Sequence, residues 1–526
     1  MDHLKQFETL FTERQGSIDG TWDQIERYFA PMRGGNFFQP QTTESELTFS
    51  RPRIYSDVPI SASANLASTL HGNLTSSVLQ WFEFKFRKPQ LNFDNRARSW
   101  LELCARQVFH ALMDSNFDLE VAEAYLDLIH FGNSGVITER EGKEFIFSTI
   151  PVRELYFTSD HRGRVLRLYR RHQWTAEQIV HRFNGKCPEH IKDKLDDPTT
   201  KHDIIQCIYP RTVPSITRAL PGNRPFGEVY LCRTTGETCG EEGGYYSMPV
   251  AVARWSKTSG SRWGHGPSAV ALPTAITLNE LVSLSLDNAE KAVSPANLAT
   301  PNGLLSNLDL GPDGLTLVQD VDRSLKPYES RARFDVGTLE ISRLEDSINR
   351  IFLVDRLDLK ESPAMTATEV SARMEKMARL LGSTLARIQG ELLVPIIERV
   401  FAMLDRANEL PPKPENLKNE DYDIYFTGPL PRAMRRDVTV SMLGLLDSVA
   451  QAGQVMPALM EALHPVRFSQ YLAYASGVPA EVLRTKDELE EAQEAQSAKE
   501  QQMMEIERMK AMPAPPPGGI QEGFGP

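Results

Sequence analysis

The chain has 526 residues, of which 41% are hydrophobic and 24% are charged, and its formal net charge is −12. This length and composition are ordinary for a globular protein with a large buried core. The acidic balance argues against a protein that binds nucleic-acid phosphates over a broad surface. Five scattered cysteines without CxxC spacing indicate neither a zinc ribbon nor a disulfide framework, so a reducing compartment is expected.

The N-terminal residues show the pattern of an amphipathic helix rather than a signal peptide, so the protein is expected to stay in the cytoplasm where it is made. Apolar residues at helical spacing predict two helices, or one broken helix, over residues 2–30, with a stop at Pro31. The same spacing predicts helices at 58–79 and at about 95–130, and an alternating pattern predicts a strand at 81–86.

Residues 134–255 contain short strand patterns separated by Gly, Pro and Asn turns, so the first half of the chain is predicted to be mixed α+β. In the second half we expect one long helix at 267–293, a Pro- and Gly-rich excursion at 294–334 and a returning helix at 337–355. Pro273 and several polar residues interrupt the most apolar part of the first helix, so no transmembrane segment is predicted.

A polar connection at 355–364 leads to a second long helix, which is expected to end near Ala407. Pro395 lies inside this helix and should kink it near Leu392, because proline lacks a backbone donor and clashes with the preceding turn. The rest of the chain is predicted to contain, in order, a short strand at 422–426, helices to about Arg484, a highly charged segment at 481–512 and a disordered Pro- and Gly-rich tail at 513–526.

Motifs for common chemistries are absent from the sequence. No segment matches GxxxxGK[ST], HExxH, GxSxG or GxGxxG, which argues against a motor ATPase. The segment Gly132-Asn133-Ser134-Gly135 is one residue short of a nucleophile elbow and is interpreted as a plain turn. We therefore predict no catalytic, cofactor-binding or metal-binding residues and no enzyme activity.

Two clusters of polar residues are candidates for a binding site. The histidines nearest to a ligand cluster are His161, His172, His181 and His190. They contain no i, i+4 pair, so satisfied or solvent-facing histidines are favoured over a metal site. The one local basic run contains Arg162, Arg164, Arg167, Arg170 and Arg171. Strand alternation divides these arginines between two faces, which favours a solvated or intersubunit strand over a DNA-binding stripe.

Several sequence blocks stand in a fixed order between about residues 20 and 475. They are Trp22-x-x-Ile25-x-x-Tyr28-x-x-Pro31; Asp57 through Ala64-Asn65-Leu66-Ala67-Ser68-Thr69-Leu70, with Leu74-Thr75 and Trp81-Phe82-Glu83-Phe84; Gly163-Arg164-Val165 with Trp174-Thr175-Ala176-Glu177-Gln178; Gly264-His265-Gly266-Pro267; and Met365-Thr366-Ala367-Thr368-Glu369-Val370 with Arg373, Leu381-Gly382 and Gln389-x-Glu391-Leu392-Leu393-x-Pro395-Ile396-Ile397. Taken together, they resemble the head-to-tail connector (portal) family of short-tailed bacteriophages. No nucleotide or metal motif is expected of that family.

The resemblance implies a helix-rich α+β portal fold, assembled as a closed homo-oligomeric ring of twelve subunits. The expected regions are the wing at 1–266, the first stem helix at 267–293, the clip at 294–336, the second stem helix at 337–355, the tunnel loop at 356–365, the kinked helix and wing return strand at 366–430, the crown at 431–512 and the disordered tail at 513–526. The independent pattern of helix, excursion, helix, loop and kinked helix agrees with this assignment.

The function that the resemblance implies is a ring at one capsid vertex, through which double-stranded DNA is packaged and ejected. The implied partners are further copies of the chain, DNA passing without sequence specificity, terminase during packaging, capsid or scaffold proteins, and the tail or tail-adaptor proteins afterwards. No cofactor and no membrane are implied. The expected location is the virion, and the host cytoplasm during assembly.

The net charge of the chain predicts how the bore of such a ring would interact with DNA. Twelve copies would carry a formal charge of about −144, so a largely acidic bore would repel phosphates and keep DNA from adhering to the wall. The candidates for basic side chains that still touch the DNA backbone are Arg350, Arg356 and Lys360. The alternative is that they form local surface ion pairs of little energetic weight with the acidic residues nearby.

Alternatives stay open at this point. The small and hydroxyl residues along 267–293 fit close lateral packing between subunits, and they fit an ordinary core helix with a polar face equally well. A virion tail-adaptor or scaffold protein without a DNA channel would share the acidic charge and the lack of motifs. A DNA-processing enzyme is a third hypothesis, which activity on DNA in vitro would support.

Overall fold

The computed structural model describes residues 2–31, 53–197, 199–211, 220–293, 297–299, 325–327, 334–354, 367–414, 417, 421–429, 444–445, 448 and 503–504. The chain divides into two compact units. The first comprises Met1–Phe82, Arg106–Leu410 and Phe426–Arg435, and the second comprises Glu83–Ala105, Pro411–Tyr425 and Arg436–Pro526. Helices and strands are both abundant, which confirms the predicted α+β class.

The described helices and strands alternate along the first half of the chain, and helices dominate after it. The helices are α1 (His3–Ser17), α2 (Asp19–Phe29), α3 (Val58–Leu74), α4 (Asn95–Met113), α5 (Phe117–Phe131), α6 (Ala176–Arg182), α7 (Glu189–Lys192), α8 (Pro267–Val293), α9 (Phe334–Ile351), α10 (Ala367–Ile388) and α11 (Val394–Arg406). The strands are β1 (Phe82–Phe86), β2 (Asn133–Glu141), β3 (Glu144–Ile150), β4 (Leu155–Ser159), β5 (Val165–Thr175), β6 (Lys201–Pro210), β7 (Phe226–Cys232), β8 (Thr238–Tyr245), β9 (Val250–Arg254), β10 (Asn297–Ala299), β11 (Leu325–Pro327) and β12 (Tyr422–Phe426).

These strands form four sheets, with the orders β3-β2-β9, β4-β5-β6-β7-β8, β1-β12 and β10-β11. The five-stranded sheet is an antiparallel meander with a hydrophobic cluster on each face. Ile205 of β6 belongs to the cluster that includes Phe7 and Leu10 of α1. The neighbouring Ile204 belongs to the cluster that includes Ile179 of α6 and Ile191 of α7. Adjacent residues of a strand point to opposite faces, so this sheet is covered on both sides.

The buried guanidinium of Arg14 joins α1 to the segment that leads into β4. Arg14 is 2% exposed and forms an ion pair of 2.8 Å with Asp19. Its N–H groups also donate to three backbone carbonyl oxygens between residues 152 and 155 and to the hydroxyl of Tyr156. The guanidinium carbon lies 3.8 Å from the centre of the Tyr156 ring. One side chain therefore satisfies several buried acceptors that would otherwise lose their hydrogen bonds to water.

The long helix after residue 366 changes its hydrogen-bonding pattern near its middle. Between α10 and α11, residues Gln389–Leu393 form a π-helical turn, and the N–H of Val394 donates to the carbonyl of Gln389. Pro395 follows directly and has no N–H to continue the α-helical pattern. The π-helical turn coincides with the distortion that the sequence predicts near Leu392, and such turns are a known cause of helix bending.

Glu391 anchors this turn to the three-stranded sheet. Its carboxylate accepts hydrogen bonds from the backbone N–H and the guanidinium of Arg254, at 2.8 to 3.0 Å, and it also accepts one from Arg387. Arg254 is 3% exposed and is the last residue of β9. The π-helical turn therefore directs the carboxylate of Glu391 at the buried Arg254. This ion pair fixes the helix at the point where its regular hydrogen bonds change.

Most predicted elements are found with small shifts of their ends. The helix predicted at 95–130 is two helices, because residues 114–116 interrupt it and the side-chain hydroxyl of Ser115 bonds to the local backbone. Five strands, β4, β6, β8, β10 and β11, were not predicted from the sequence. In β6, Ile204 and Ile205 each face one of the two hydrophobic clusters, so the alternation typical of a half-buried strand is missing.

The predicted tunnel loop and tail lie outside the described residues, as do nearly all of the clip and crown.

Replacing Arg14 by Ala should lower the free energy of unfolding by about 3 kcal/mol, because Asp19 and the carbonyls at 152–155 would stay buried without their donor. Chemical denaturation followed by tryptophan fluorescence measures this change. The control is Arg27→Ala, since Arg27 is 46% exposed and pairs with Asp23 on the surface of α2, where the expected loss is below about 1 kcal/mol. Equal losses in the two variants would contradict the structural role given to Arg14.

Candidate channel region

The helix α8 starts where two backbone segments meet without side chains between them. Gly132 ends α5 with a φ of +74°, a conformation that favours glycine. A Cβ on Gly266 would overlap the carbonyl oxygen of Ile129, and a Cβ on Gly132 would overlap the backbone of residues 265–266. Asn133 closes the contact, because its side-chain oxygen accepts from the N–H of Gly264 at 2.8 Å and its amide donates to the carbonyl of the same residue. The block Gly264-His265-Gly266-Pro267 is thus required for this close approach.

The helices α8 and α9 pack against each other and form a hairpin, which we call the stem hairpin (residues 267–293 and 334–351). The antiparallel pair β10–β11, with Asn297 opposite Pro327, follows α8 and precedes α9. Burial is confined to the other end of the hairpin. The buried positions of α8 lie in its first half and are Pro267, Ser268, Ala271, Leu272, Ala275 and Leu278. In α9 the buried Ile348 lies near the C-terminal end, so the stem hairpin is anchored to the first unit at one end.

The far end of the stem hairpin exposes large apolar side chains. Leu284, Leu286 and Val293 of α8 are 58%, 52% and 87% exposed, and Leu339 of α9 is 68% exposed. Only 28% of the most apolar stretch of α8 is buried. Burying apolar surface is favourable, so a row of such residues on paired helices indicates a surface that associates with another molecule.

Two long helical segments, Pro267–Val293 and Lys376–Arg406, have the length and apolar composition of membrane spans. These two properties alone do not distinguish a membrane span from a helix packed against protein. Pro273 and the polar residues along α8 still favour a helix outside the membrane, and this stays a prediction.

The small residues of α8 divide between two environments. Ser268, Ala271 and Ala275 are buried inside the chain, where they act as ordinary core residues. Ala289, in the second half of the helix, is exposed. The first half of α8 is therefore an ordinary core helix. For its second half, lateral packing between copies stays a prediction.

Among the candidate channel residues, Arg350 lies on the exposed face of α9. Arg356 and Lys360 lie outside the described residues. The structure adds Arg343, which was not singled out from the sequence; its side chain is 79% exposed and lies 3.7 Å from Glu340. Arg343 and Arg350 are seven residues apart, so they share one face of the helix at a rise of about 10.5 Å. The sequence could have indicated Arg343 through its seven-residue spacing from Arg350, which places both residues on one face of a helix.

The stem hairpin as a whole is acidic. Its two helices contain seven Asp and Glu residues but only three Lys and Arg residues. Two of the three basic residues are Arg343 and Arg350. The composition agrees with the acidic wall expected from the net charge, with a small number of basic side chains on α9.

The end of α9 is held in the first unit by aromatic packing. Phe352 is fully buried, and its ring centre lies 5.7 Å from that of Phe29 at the end of α2. The next residue, Leu353, has a φ of +62°, which is rare for a bulky side chain and marks a sharp turn. Burial of Phe352 therefore fixes the point from which the chain enters residues 355–366.

The arginines of the basic run at 162–171 form contacts within the chain. The guanidinium of Arg170 pairs with Glu154, that of Arg171 pairs with Asp203, and that of Arg167 donates to the side-chain oxygen of Gln6. These contacts leave little of the run for a DNA-binding stripe. The partners of Arg167, Arg170 and Arg171 lie within the chain, and the interpretation as a solvated or intersubunit strand stays a prediction.

His172, from the histidine group, belongs to the protein core. Its ring stacks on Trp174 at 4.2 Å between centres and contacts the side-chain oxygen of Gln206. Burial lowers the pKa of His172 to about 3, so the ring is neutral at physiological pH. Among the residues that the structure describes, no group of three or more His, Cys, Asp or Glu side chains is arranged to hold a metal ion.

The segment 132–135 has the opposite order of elements from a nucleophile elbow. Gly132 follows helix α5, and residues 133–135 begin strand β2, whereas an elbow runs from a strand into a helix. Asn133 holds the backbone of Gly264, as described above. The segment is therefore a structural connection.

Comparison with known proteins agrees with this architecture. A family model described as "Bacteriophage head to tail connecting protein" matches residues 2–483, which is most of the chain. The chain belongs to this family. The resemblance stated from the sequence blocks is confirmed. Connecting proteins of this family are structural phage proteins, which is consistent with the absence of a catalytic motif.

Two curated relatives of this head-to-tail connecting protein cover nearly its full length. It is 25% identical over 495 residues to a protein named "Probable portal protein" from Bordetella phage BPP-1, an alignment that covers 91% of this chain and 88% of the relative. It is 22% identical over 511 residues to a "Portal protein" from Salmonella phage epsilon15, covering 93% of this chain and 89% of the relative. The similarity therefore includes both the mixed α+β half and the helical half of the connecting protein.

The glycine contact at the base of the stem hairpin can be tested with a matched pair of variants. Gly266→Ala should destabilise the connecting protein by about 2 kcal/mol or more, because the new methyl group overlaps a backbone carbonyl that cannot move freely. Gly337→Ala in α9 should be neutral or stabilising by about 0.5–1 kcal/mol, since nothing lies within 4 Å of its added carbon. Melting temperatures of the two variants measure the difference, and a Gly266→Ala protein as stable as Gly337→Ala would refute the close contact.

Proposed function

We propose that this chain is the subunit of a portal ring at one capsid vertex, through which double-stranded DNA is packaged and ejected. The family match and the two relatives named as portal proteins support this proposal. The observation that carries it is the uncovered stem hairpin, with exposed Leu284, Leu286 and Leu339 at the end away from its anchor. A hairpin of this kind is stabilised when identical hairpins pack beside it.

Ring closure follows from the chemistry of the stem hairpin. Its exposed apolar side chains favour contact with protein, and its excess of acidic side chains favours contact with water. In a closed ring each hairpin has two neighbours, so apolar residues are covered laterally while charged residues face the central hole. Twelve subunits is the number expected from the family resemblance.

The same arrangement explains how DNA would pass. A bore lined mainly by Asp and Glu repels phosphates and prevents adhesion. Arg343 and Arg350 on one face of α9, with Arg356 and Lys360 in the loop that follows, would supply brief contacts to the DNA backbone. Such contacts orient the duplex without reading its sequence.

The proposed regions keep the boundaries predicted from the sequence. The mixed part at 1–266 forms the wing with the kinked helix and return strand at 366–430, residues 294–336 form the clip that docks terminase and later the tail, and 431–512 form the crown. Capsid or scaffold proteins are further partners, and the protein resides in the host cytoplasm during assembly and in the virion afterwards. No catalytic step is assigned to this chain in that role.

Electron microscopy and native mass measurement of the purified chain test the proposal. We expect a hollow ring of about twelve subunits. A solid assembly or a monomer that stays monomeric under assembly conditions would favour the tail-adaptor or scaffold alternative, and metal-dependent nuclease or ATPase activity would favour the enzyme alternative.

Leu284→Glu should reduce the ring fraction by about tenfold or more while leaving the melting temperature of the single chain unchanged, because it places a charge in the proposed lateral contact. The matched control is Leu119→Glu on α5, a leucine that is 73% exposed outside the stem hairpin. Gradient sedimentation measures both. If Leu284→Glu assembles as well as Leu119→Glu, the lateral contact is not where we place it.

The channel residues are tested by charge reversal in the phage. Lys360→Glu and Arg350→Glu should each shorten or destabilise the packaged genome, because they remove the positive charges that contact DNA under packaging pressure. The length of packaged DNA in purified particles is the measurement. Unchanged packaging and retention in both variants would show that these side chains form only local surface pairs.

A further inference from the structure

Three arginine side chains gather around two adjacent tyrosines in the first unit. The guanidinium carbons of Arg224 and Arg406 lie 4.7 and 4.6 Å from the centre of the Tyr246 ring. The guanidinium of Arg399 lies 5.4 Å from the ring centre of Tyr245. Arg399 and Arg406 are seven residues apart on α11 and therefore share one face of that helix.

No carboxylate hydrogen-bonds to these three guanidinium groups among the residues that the structure describes. Arg399 donates to the carbonyl of Thr138 and to the carbonyl and hydroxyl of Ser247. Arg224 donates to the carbonyl of Gly244, and its Nε is buried without a hydrogen-bond partner. The stacked arginines thus keep donor capacity that the described chain does not use.

Neighbouring arginines are paired in the ordinary way, which makes the contrast informative. Arg140 forms an ion pair of 2.6 Å with Glu409, and Arg211 forms one of 2.7 Å with Glu242. In a chain with a formal net charge of −12, carboxylates are plentiful. For the arginines around Tyr245 and Tyr246, in contrast, Glu139 and Asp405 act only through their charge, and no described carboxylate hydrogen-bonds to the three guanidinium groups.

The three charges also repel one another. Burial lowers the pKa of Arg399 to about 10, and the charge of Arg406 acts in the same direction, while Tyr245 and Glu139 act to raise it. Burial lowers the pKa of Arg406 as well, and the charge of Arg224 contributes in the same direction. A bound anion would reverse this penalty, because an opposite charge favours the protonated form of each guanidinium.

We propose that Arg224, Arg406 and Tyr246 form a binding site for a single oxyanion group, either a carboxylate or a phosphate. A guanidinium stacked on an aromatic ring keeps its edge N–H groups free to bind two oxygens of such a group. The buried Arg399 adds positive potential behind the site. Three charges fit one oxyanion but not a length of nucleic acid, which needs many phosphate contacts. The site stands on these contacts alone and does not depend on ring formation.

Thermal unfolding of the full chain in inorganic phosphate, compared with chloride at equal ionic strength, tests the site. We expect a saturable rise in the melting temperature of the wild-type protein. Arg406→Ala should weaken the apparent phosphate affinity by about tenfold or more, since a charge-assisted contact to the anion is lost. Tyr246→Leu, which removes the ring that positions both guanidinium groups, should weaken it as well.

The control is Arg27→Ala, whose exposed, ion-paired arginine in α2 is outside the site, and it should bind phosphate as the wild type does. A rise that does not saturate, or that is identical in wild type and Arg406→Ala, would be a general salt effect and would overturn the proposal. Repeating the titration on assembled protein separates the two sources of the anion. Loss of phosphate binding on assembly would identify a carboxylate of a neighbouring copy as the natural occupant, and retained binding would identify a free oxyanion.

Discussion

The position of the stem hairpin depends on a contact between backbones at the base of α8. Gly132, Gly264 and Gly266 allow the end of α5 and the start of α8 to approach more closely than any side chain would permit. Asn133 locks this contact from one side, and the packing of Phe352 against Phe29 holds the returning helix. Because the anchorage is at one end, large apolar side chains at the other end of the hairpin are exposed, and the proposed function covers them with neighbouring copies.

Buried arginines hold distant segments of this acidic protein together. Arg14, Arg254 and Arg399 are almost fully buried and donate to several acceptors each, which joins segments distant in the sequence. A planar guanidinium with five donors suits this task better than an ammonium group. Among the residues that the structure describes, four basic side chains (Arg14, Lys85, Arg254 and Arg399) and three acidic ones (Asp19, Glu26 and Asp127) are buried, so burial hardly changes the acidic balance of the surface. The stem hairpin, with seven acidic and three basic residues, is acidic like the chain as a whole.

The π-helical turn at Gln389–Leu393 couples two parts of the first unit. Pro395 prevents a regular α-helix there, and Glu391 is held by Arg254 at the end of β9. The change in hydrogen bonding and the contact that fixes the helix therefore lie in the same turn. In a regular α-helix the side chain of residue 391 would point in another direction. The π-helical turn contains one extra residue, which rotates the preceding residues about the helix axis relative to those that follow.

The sequence by itself determined the elements whose cause is local. Helical periodicity and the glycines before Pro267 placed α8 at its observed bounds, alternation placed the strand at 81–86 within one residue, and Pro395 located the distorted turn. Tertiary structure alone decided features that depend on residues far apart in the chain. The strands β4, β6 and β8 are strands because neighbours pair with them, and β6 shows no alternation because both of its faces are covered. The arginines around Tyr246 and the pairing of the basic run at 162–171 could not be predicted, since no local pattern indicates which distant carboxylate, carbonyl or ring a long side chain will reach.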